Sequence, residues 1–346
     1  MNADSNLTIA QWEARLAPFK KPQLGRSLFQ LANSSLSFVG LWWLMVQSLE
    51  VSYLLTCLLA VPAAFMMCRL FIIQHDCSHG AFFRSRTANQ LVGTVVGVLT
   101  MTPFDYWKRT HAIHHGTSGD LDRRELGDIV TMTVGEYLAL SRWRRFGYRL
   151  YRSSPVLFLI GPLYQFVLKH RFPFDTPRTW RREWRSVMVT NVGLALALWG
   201  MSALVGWKVL LLVHVPIVMV MVSLGVWLFY VQHQYEHTYW ARHESWDRLA
   251  ASLEGSSFYD LPRILHWATG YIGYHHIHHL SSLIPNYRLP ECQASVPELA
   301  AVPKLSIRES FGTPRLKLWD EDDRRLISFR ELRRKVAGGE PEQLAA

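Results

Sequence analysis

The chain has 346 residues, of which 49% are hydrophobic and only 18% charged, and it carries 14 tryptophans and a formal net charge of +10. The hydrophobic residues are gathered into long runs, which argues against a pair of ordinary soluble domains and for one membrane-embedded unit. Its four cysteines contain no C-x-x-C pair, so no disulfide framework is indicated.

Taken from the start, the chain lacks the basic, apolar, small-residue succession of a cleavable signal peptide. Ile9, Trp12, Leu16 and Phe19 instead space out one apolar stripe of a helix, lying either on the membrane or against the rest of the chain. Residues 31–49 and 51–74 predict a hairpin of two spans turning at Glu50, and residues 187–205 and 209–232 predict a second turning at 206–208. Each run is long enough, as a helix, to cross a hydrocarbon core of ~30 Å. Residues 91–100 form a shorter apolar run followed by Asp105. A crossing there would strand the first two histidine clusters on opposite sides of the bilayer, so an interfacial or re-entrant segment is expected. Residues 155–168 are expected to form an interfacial helix.

Basic residues crowd the stretch between the hairpins, among them Arg144, Arg145, Arg181 and Arg182, whereas the short turns carry only Lys208. The positive-inside rule then puts this stretch and both ends of the chain in the cytoplasm. Anionic lipid headgroups account for such a surface, so no nucleic-acid partner is needed. The expected fold is an all-α integral membrane protein with four transmembrane helices in two hairpins and a cytoplasmic helical cap. Residues 1–30 would be a cytoplasmic or interfacial segment, 31–303 the membrane domain and 304–346 a cytoplasmic tail.

Near the ends of these runs stand three clusters, His75-Asp76-Cys77-Ser78-His79, His111-Ala112-Ile113-His114-His115 and His275-His276-Ile277-His278-His279. On helices, spacings of i,i+4 and i,i+3,i+4 bring the imidazoles of each cluster to one face. His233 and His237, beyond the last run, offer another i,i+4 pair. A catalytic zinc typically uses three protein ligands, so this supply suffices for two metals. Neither HxxHH carries the glutamate of H-E-x-x-H, which disfavours a zinc peptidase. Imidazole suits Zn, Fe, Cu and Ni alike. Removing hydrogen from an unactivated alkyl chain is beyond acid–base side chains, but a redox metal with oxygen can do it, which favours iron over zinc.

These motifs resemble the membrane fatty acid desaturases, in particular the bacterial and plastid-type acyl-lipid branch. The likeness runs from about Phe71 to Pro290 and includes residues 74–80, 110–115, 231–240 and 273–280, followed by Ile284-Pro285-Asn286-Tyr287-Arg288-Leu289. It implies an enzyme with two iron ions that uses molecular oxygen and two electrons to introduce a cis double bond into the acyl chain of a membrane lipid. Carried over residue by residue, the implied ligands are His75, His79, His111, His114, His115, His275, His278 and His279, with His233 as the extra histidine of this branch. For His237 a direct ligand, a ligand through water and a bystander all stay open.

Metal-bound imidazoles usually give their other N–H to an oxygen, and Asp76, Glu236 and Asp260 are the nearest carboxylates in sequence. A related reading is a hydroxylase or ketolase acting on an alkane, sterol or carotenoid. A metal transporter is disfavoured, because ionisable groups on a transport path face a passage within the spans. No H-P-G-G stretch or cysteine set supplies an electron carrier, so an external donor is implied, of ferredoxin type by the resemblance. The arginine-rich surface would suit an acidic donor. A bacterial inner membrane, with the site facing the cytoplasm, is the expected location.

Overall fold

Thr8 and Gln11 cap the first helix, α1 (Ile9–Leu16), reciprocally in the computed structural model, which describes residues 7–124 and 126–338. Trp12, Leu16 and Phe19 are buried against Ile277 and Leu289, so three of the four stripe residues cover the histidine-bearing end of the molecule, while Ile9 stays exposed. A hairpin follows, α2 (Leu24–Ser48) and α3 (Tyr53–His79), with Ser52 capping α3 and Gly80 ending it in the left-handed conformation.

From there α4 (Arg86–Leu99) runs away from the histidine-bearing end and α5 (Phe104–Thr117) returns to it. Fourteen residues rise only about 21 Å, short of a ~30 Å core. The return brings the His111 ring to within 5.0 Å of the His79 ring, so the pair is a hairpin and not a crossing.

A short strand β1 (Met132–Thr133) leads into α6 (Val134–Ala139), α7 (Arg142–Tyr151) and α8 (Val156–Lys169). Both ends of α8 are wound as π-helix. The second long hairpin is α9 (Arg181–Val205) and α10 (Trp207–His233). Because α3 and α10 pack together and both end at histidines of one site, they run in the same direction, with α2 and α9 antiparallel to them.

Three helices, α3, α9 and α10, are long and apolar enough to cross a membrane. Val192, Leu196, Trp199 and Leu204 of α9 face outward from the protein, an arrangement that lipid stabilises and water does not. The fourth expected span is not among these three. Its helix, α2, is 25 residues long but begins seven residues before the apolar run, and its first half carries Arg26, Gln30 and Asn33, so composition does not qualify it.

After α10 the chain forms α11 (Arg248–Leu253), β2 (Phe258–Asp260), α12 (Arg263–Ala268), α13 (His275–Leu280) and α14 (Leu289–Ser295). Then come β3 (Lys304–Ser306), α15 (Ile307–Ser310), β4 (Leu318–Asp320), β5 (Arg325–Ile327) and α16 (Phe329–Gly338). The molecule is thus mostly helical but not all-α. β2 and β3 pair in parallel, and β4 stands between parallel β1 and antiparallel β5. These strands span two or three residues each, too few for an alternating pattern to show in the sequence.

Residues 304–338 are packed into the body, with Leu318, Ile327 and Leu332 sharing a core with Tyr137 and Tyr148. Arg152, fully buried, ties three segments together. Its guanidinium donates to Gln234 Oε1 at 2.8 Å, Thr131 Oγ1 at 3.1 Å and the Leu316 carbonyl at 3.1 Å. A buried guanidinium is tolerated here because both of its terminal nitrogens are met by oxygens.

Candidate metal centre

Four helices bring nine histidines together. The last turns of α3 carry His75 and His79, α5 carries His111, His114 and His115, α10 ends on His233, and α13 carries His275, His278 and His279. They form two groups, within each of which the candidate ligand atoms lie no more than 4.8 Å apart. One group is His75, His79, His111, His115 and His278; the other is His114, His233, His275 and His279.

The two HxxHH clusters are divided between these groups in opposite senses. His111 and His115, the i,i+4 pair of α5, join the five-membered group while His114 joins the other. In α13 the i,i+4 pair His275 and His279 joins the four-membered group while His278 crosses to the first. Each helix therefore serves both groups, and the groups are held side by side.

Nitrogen separations test whether metals fit. Two imidazole nitrogens at right angles about one metal, with bonds of about 2.1 Å, stand about 3.0 Å apart. The Nε2 atoms of His111 and His115 are 3.1 Å apart, and those of His115 and His278 are 2.9 Å apart. In the second group His233 and His275 are separated by 2.9 Å and His275 and His279 by 3.1 Å. The Nε2 atoms of His75, His79 and His114 are buried without any hydrogen-bond partner, which a protein rarely leaves so unless something binds there.

Protonation agrees with this fit. Burial first, then the neighbouring imidazoles, pushes His111, His115, His275, His278 and His279 well below the ordinary histidine range. They are neutral at pH 7, the form that donates a lone pair to a metal.

Oxygen acceptors on the far nitrogens fix which lone pair faces inward. His75 Nδ1 lies 3.1 Å from Asp76 Oδ1, and Asp76 Oδ2 accepts from the Asn286 backbone N–H at 2.7 Å, tying α3 to the 284–289 segment. His114 Nδ1 is 2.6 Å from Asp128 Oδ1, and His233 Nδ1 is 3.0 Å from the Gly255 carbonyl. Each leaves Nε2 to point into a group. Gly127 makes the Asp128 contact possible. Its φ is +86°, and a Cβ there would stand 2.9 Å from His114 Cβ. Trp107 stacks on His111 with ring centroids 4.2 Å apart, and Phe229 leans on His114 at 5.0 Å, giving apolar cover to both groups.

The tenth candidate, His237, is not brought in. It is exposed and joins neither group, because α10 ends at His233 and the i,i+4 relation holds only along a continuous helix. Two of the three carboxylates expected to support ligands are elsewhere: Glu236 pairs with Arg325 at 3.0 Å and Asp260 with Lys304 at 2.9 Å. Asp128 and the Gly255 carbonyl, which do meet candidate ligands, carried no recognisable signal beyond a glycine before the aspartate. His276 turns away and meets Gln293 Oε1 at 2.9 Å.

Across residues 50–311 the chain matches the model of the family described as fatty acid desaturase. It is 43% identical over 323 residues to a fatty acid desaturase of Bacillus subtilis, covering 93% of this chain and 91% of that protein. It is also similar to the sn-1 acyl-lipid omega-3 desaturase (ferredoxin) of Synechocystis sp., 28% identical and covering 64% of this chain and 61% of that one. With the sn-1 oleoyl-lipid 12-desaturase of Anabaena variabilis the identity is 26%, over 66% of this chain and 65% of the relative.

Proposed function

The chain belongs to the fatty acid desaturase family, and we propose that its substrate is the acyl chain of a membrane lipid and that its two histidine groups hold two iron ions. It is an oxidoreductase that desaturates fatty acyl chains with oxygen. The observation that supports the metal reading is the convergence of nine histidines into two groups at the common end of α3 and α10. Two irons there would supply the oxidising power that no side chain of the chain possesses. The protein's own part is to keep the imidazoles neutral by burying them together, to aim them through Asp76, Asp128 and the Gly255 carbonyl, and to shield them with the rings of Trp107 and Phe229.

In the overall reaction a –CH2–CH2– unit, oxygen, two electrons and two protons give a cis –CH=CH– unit and two waters. The electrons come from outside the chain. Relatives from Synechocystis and Nostoc are named for ferredoxin, and we propose a donor of that type. Arg181 and Arg185, exposed at the start of α9, stand beside α5 and suit an acidic partner.

Expression in a host without polyunsaturated lipids, followed by double-bond localisation in total fatty acids, tests this function. Products lighter by two hydrogens, formed in cell membranes only with an added small redox protein, are expected. Products heavier by one oxygen would mean a hydroxylase and overturn the reading.

We place α2 as a fourth span and the histidine end, with α1 and the segment from Lys304, on the cytoplasmic side of a bacterial inner membrane. The run of arginines beside the site supports that orientation. In a cysteine-free background, a membrane-impermeant thiol reagent added to intact cells should label E50C and K208C and miss R144C and K108C. Labelling of K108C from outside would reverse the orientation.

A further inference from the structure

Helix α7 bears two strips side by side that the reaction does not use, exposed but for the half-buried Arg145. At 100° per residue, Arg142, Arg145 and Arg149 fall along one line of the helix, and Trp143, Phe146 and Leu150 fall along the next. The buried side between Tyr148 and Tyr151 is anchored by the Tyr148 hydroxyl, which donates to the Lys317 carbonyl at 2.6 Å. Trp143 is 70% exposed and Phe146 60%. A groove of about 440 Å³ follows the seam, lined by Leu140, Arg142, Arg145, Phe146 and Arg149.

Charge in this groove is uncompensated. Among the described residues none of the three arginines has an ion-pair partner. Arg145 donates to the Leu138 and Leu140 carbonyls, Arg149 Nε to the Tyr137 hydroxyl at 2.6 Å, and Arg142 rests over the Trp143 ring at 4.9 Å. Guanidinium groups left with spare donors match the oxygens of a phosphate. The next helix, α8, touches α7 and packs on α10, one of the apolar spans, and it exposes Leu159, Ile160, Val167 and Leu168.

We propose that this groove binds the phosphate of an anionic phospholipid, with Trp143, Phe146 and Leu150 set into the acyl region beneath it. Three facts choose a lipid over a soluble acidic protein: the apolar strip adjoins the arginines, its helix touches one that packs on a span, and the groove lies on the seam between charge and grease. The site is separate from the histidine groups, and its test does not depend on catalysis.

The whole protein is incubated in neutral detergent with equal amounts of phosphatidylglycerol and phosphatidylcholine, repurified, and its retained lipid counted by mass spectrometry. Phosphatidylglycerol is expected to be retained over phosphatidylcholine, and Arg142→Gln to lower its retention on the order of five-fold, as about 1 kcal/mol per arginine implies. Arg142 touches only a neighbouring ring, so this variant does not endanger the fold, and the double variant Trp143→Ala/Phe146→Ala should lower retention too. Arg144→Gln, on the other side of the helix, should not. Equal retention of the two lipids, or unchanged retention in Arg142→Gln, overturns the proposal. Displacement of the lipid by millimolar inorganic phosphate would show a free-anion site instead, and displacement by an acidic ferredoxin a donor-docking face; either also overturns it.

Discussion

Replacing His279 by alanine is expected to abolish desaturation and to remove about one metal per chain, while the protein stays folded in the membrane. His279 is one of only four histidines in its group, with its Nε2 3.1 Å from that of His275 and its ring stacked on His115 at 4.2 Å. Removing it leaves three, whereas removing His278 leaves four in the other group. Both variants should lose more than about 100-fold in turnover, since even the loss of a group that only supports a ligand typically costs 10–100-fold. They should differ in metal content, with His279→Ala dropping from two irons per chain toward one and His278→Ala retaining more. Folding should survive, because the clusters that pack α2, α3 and α10 contain no histidine. Iron analysis of the purified chains, with circular dichroism for the fold, makes the measurement. Normal turnover in either variant would sink the ligand assignment.

Asp128→Asn should reduce metal affinity and activity together by roughly 10–100-fold. The carboxylate accepts from His114 Nδ1 at 2.6 Å and so holds the tautomer whose Nε2 faces the four-membered group. An amide can turn its NH2 toward the ring and favour the opposite tautomer, which withdraws the lone pair from the metal. Metal titration of Asp128→Asn against Asp128→Glu separates this from a general loss of packing, since the longer carboxylate should recover part of the affinity. Gly127→Val gives an independent route to the same defect, because φ of +86° and a Cβ at 2.9 Å from His114 force the loop away. Wild-type metal affinity in both Asp128→Asn and Gly127→Val would remove Asp128 from the centre.

Much of this protein is legible from local spacing. Apolar runs identified α3, α9 and α10 because hydropathy adds residue by residue, and the HxxHH pattern placed imidazoles on one helix face because helical geometry repeats within a turn. Helix ends were less legible. α2 and α9 begin seven and six residues ahead of their apolar runs, since a polar turn extends a helix as readily as an apolar one.

What the tertiary structure decided depends on contacts far apart in the chain. His115 and His278 meet across 163 residues and His233 and His275 across 42, so no spacing rule could say that each HxxHH cluster is divided between two groups. Nor could spacing separate His233 from His237, which requires knowing that α10 stops between them. Asp128 reaches His114 only because a loop with a glycine at positive φ folds back onto α5, while Glu236 and Asp260, nearer to histidines in sequence, are drawn off by Arg325 and Lys304. Local chemistry determined which residues could bind a metal; the packing of α3, α5, α10 and α13 determined which of them stand together in one group.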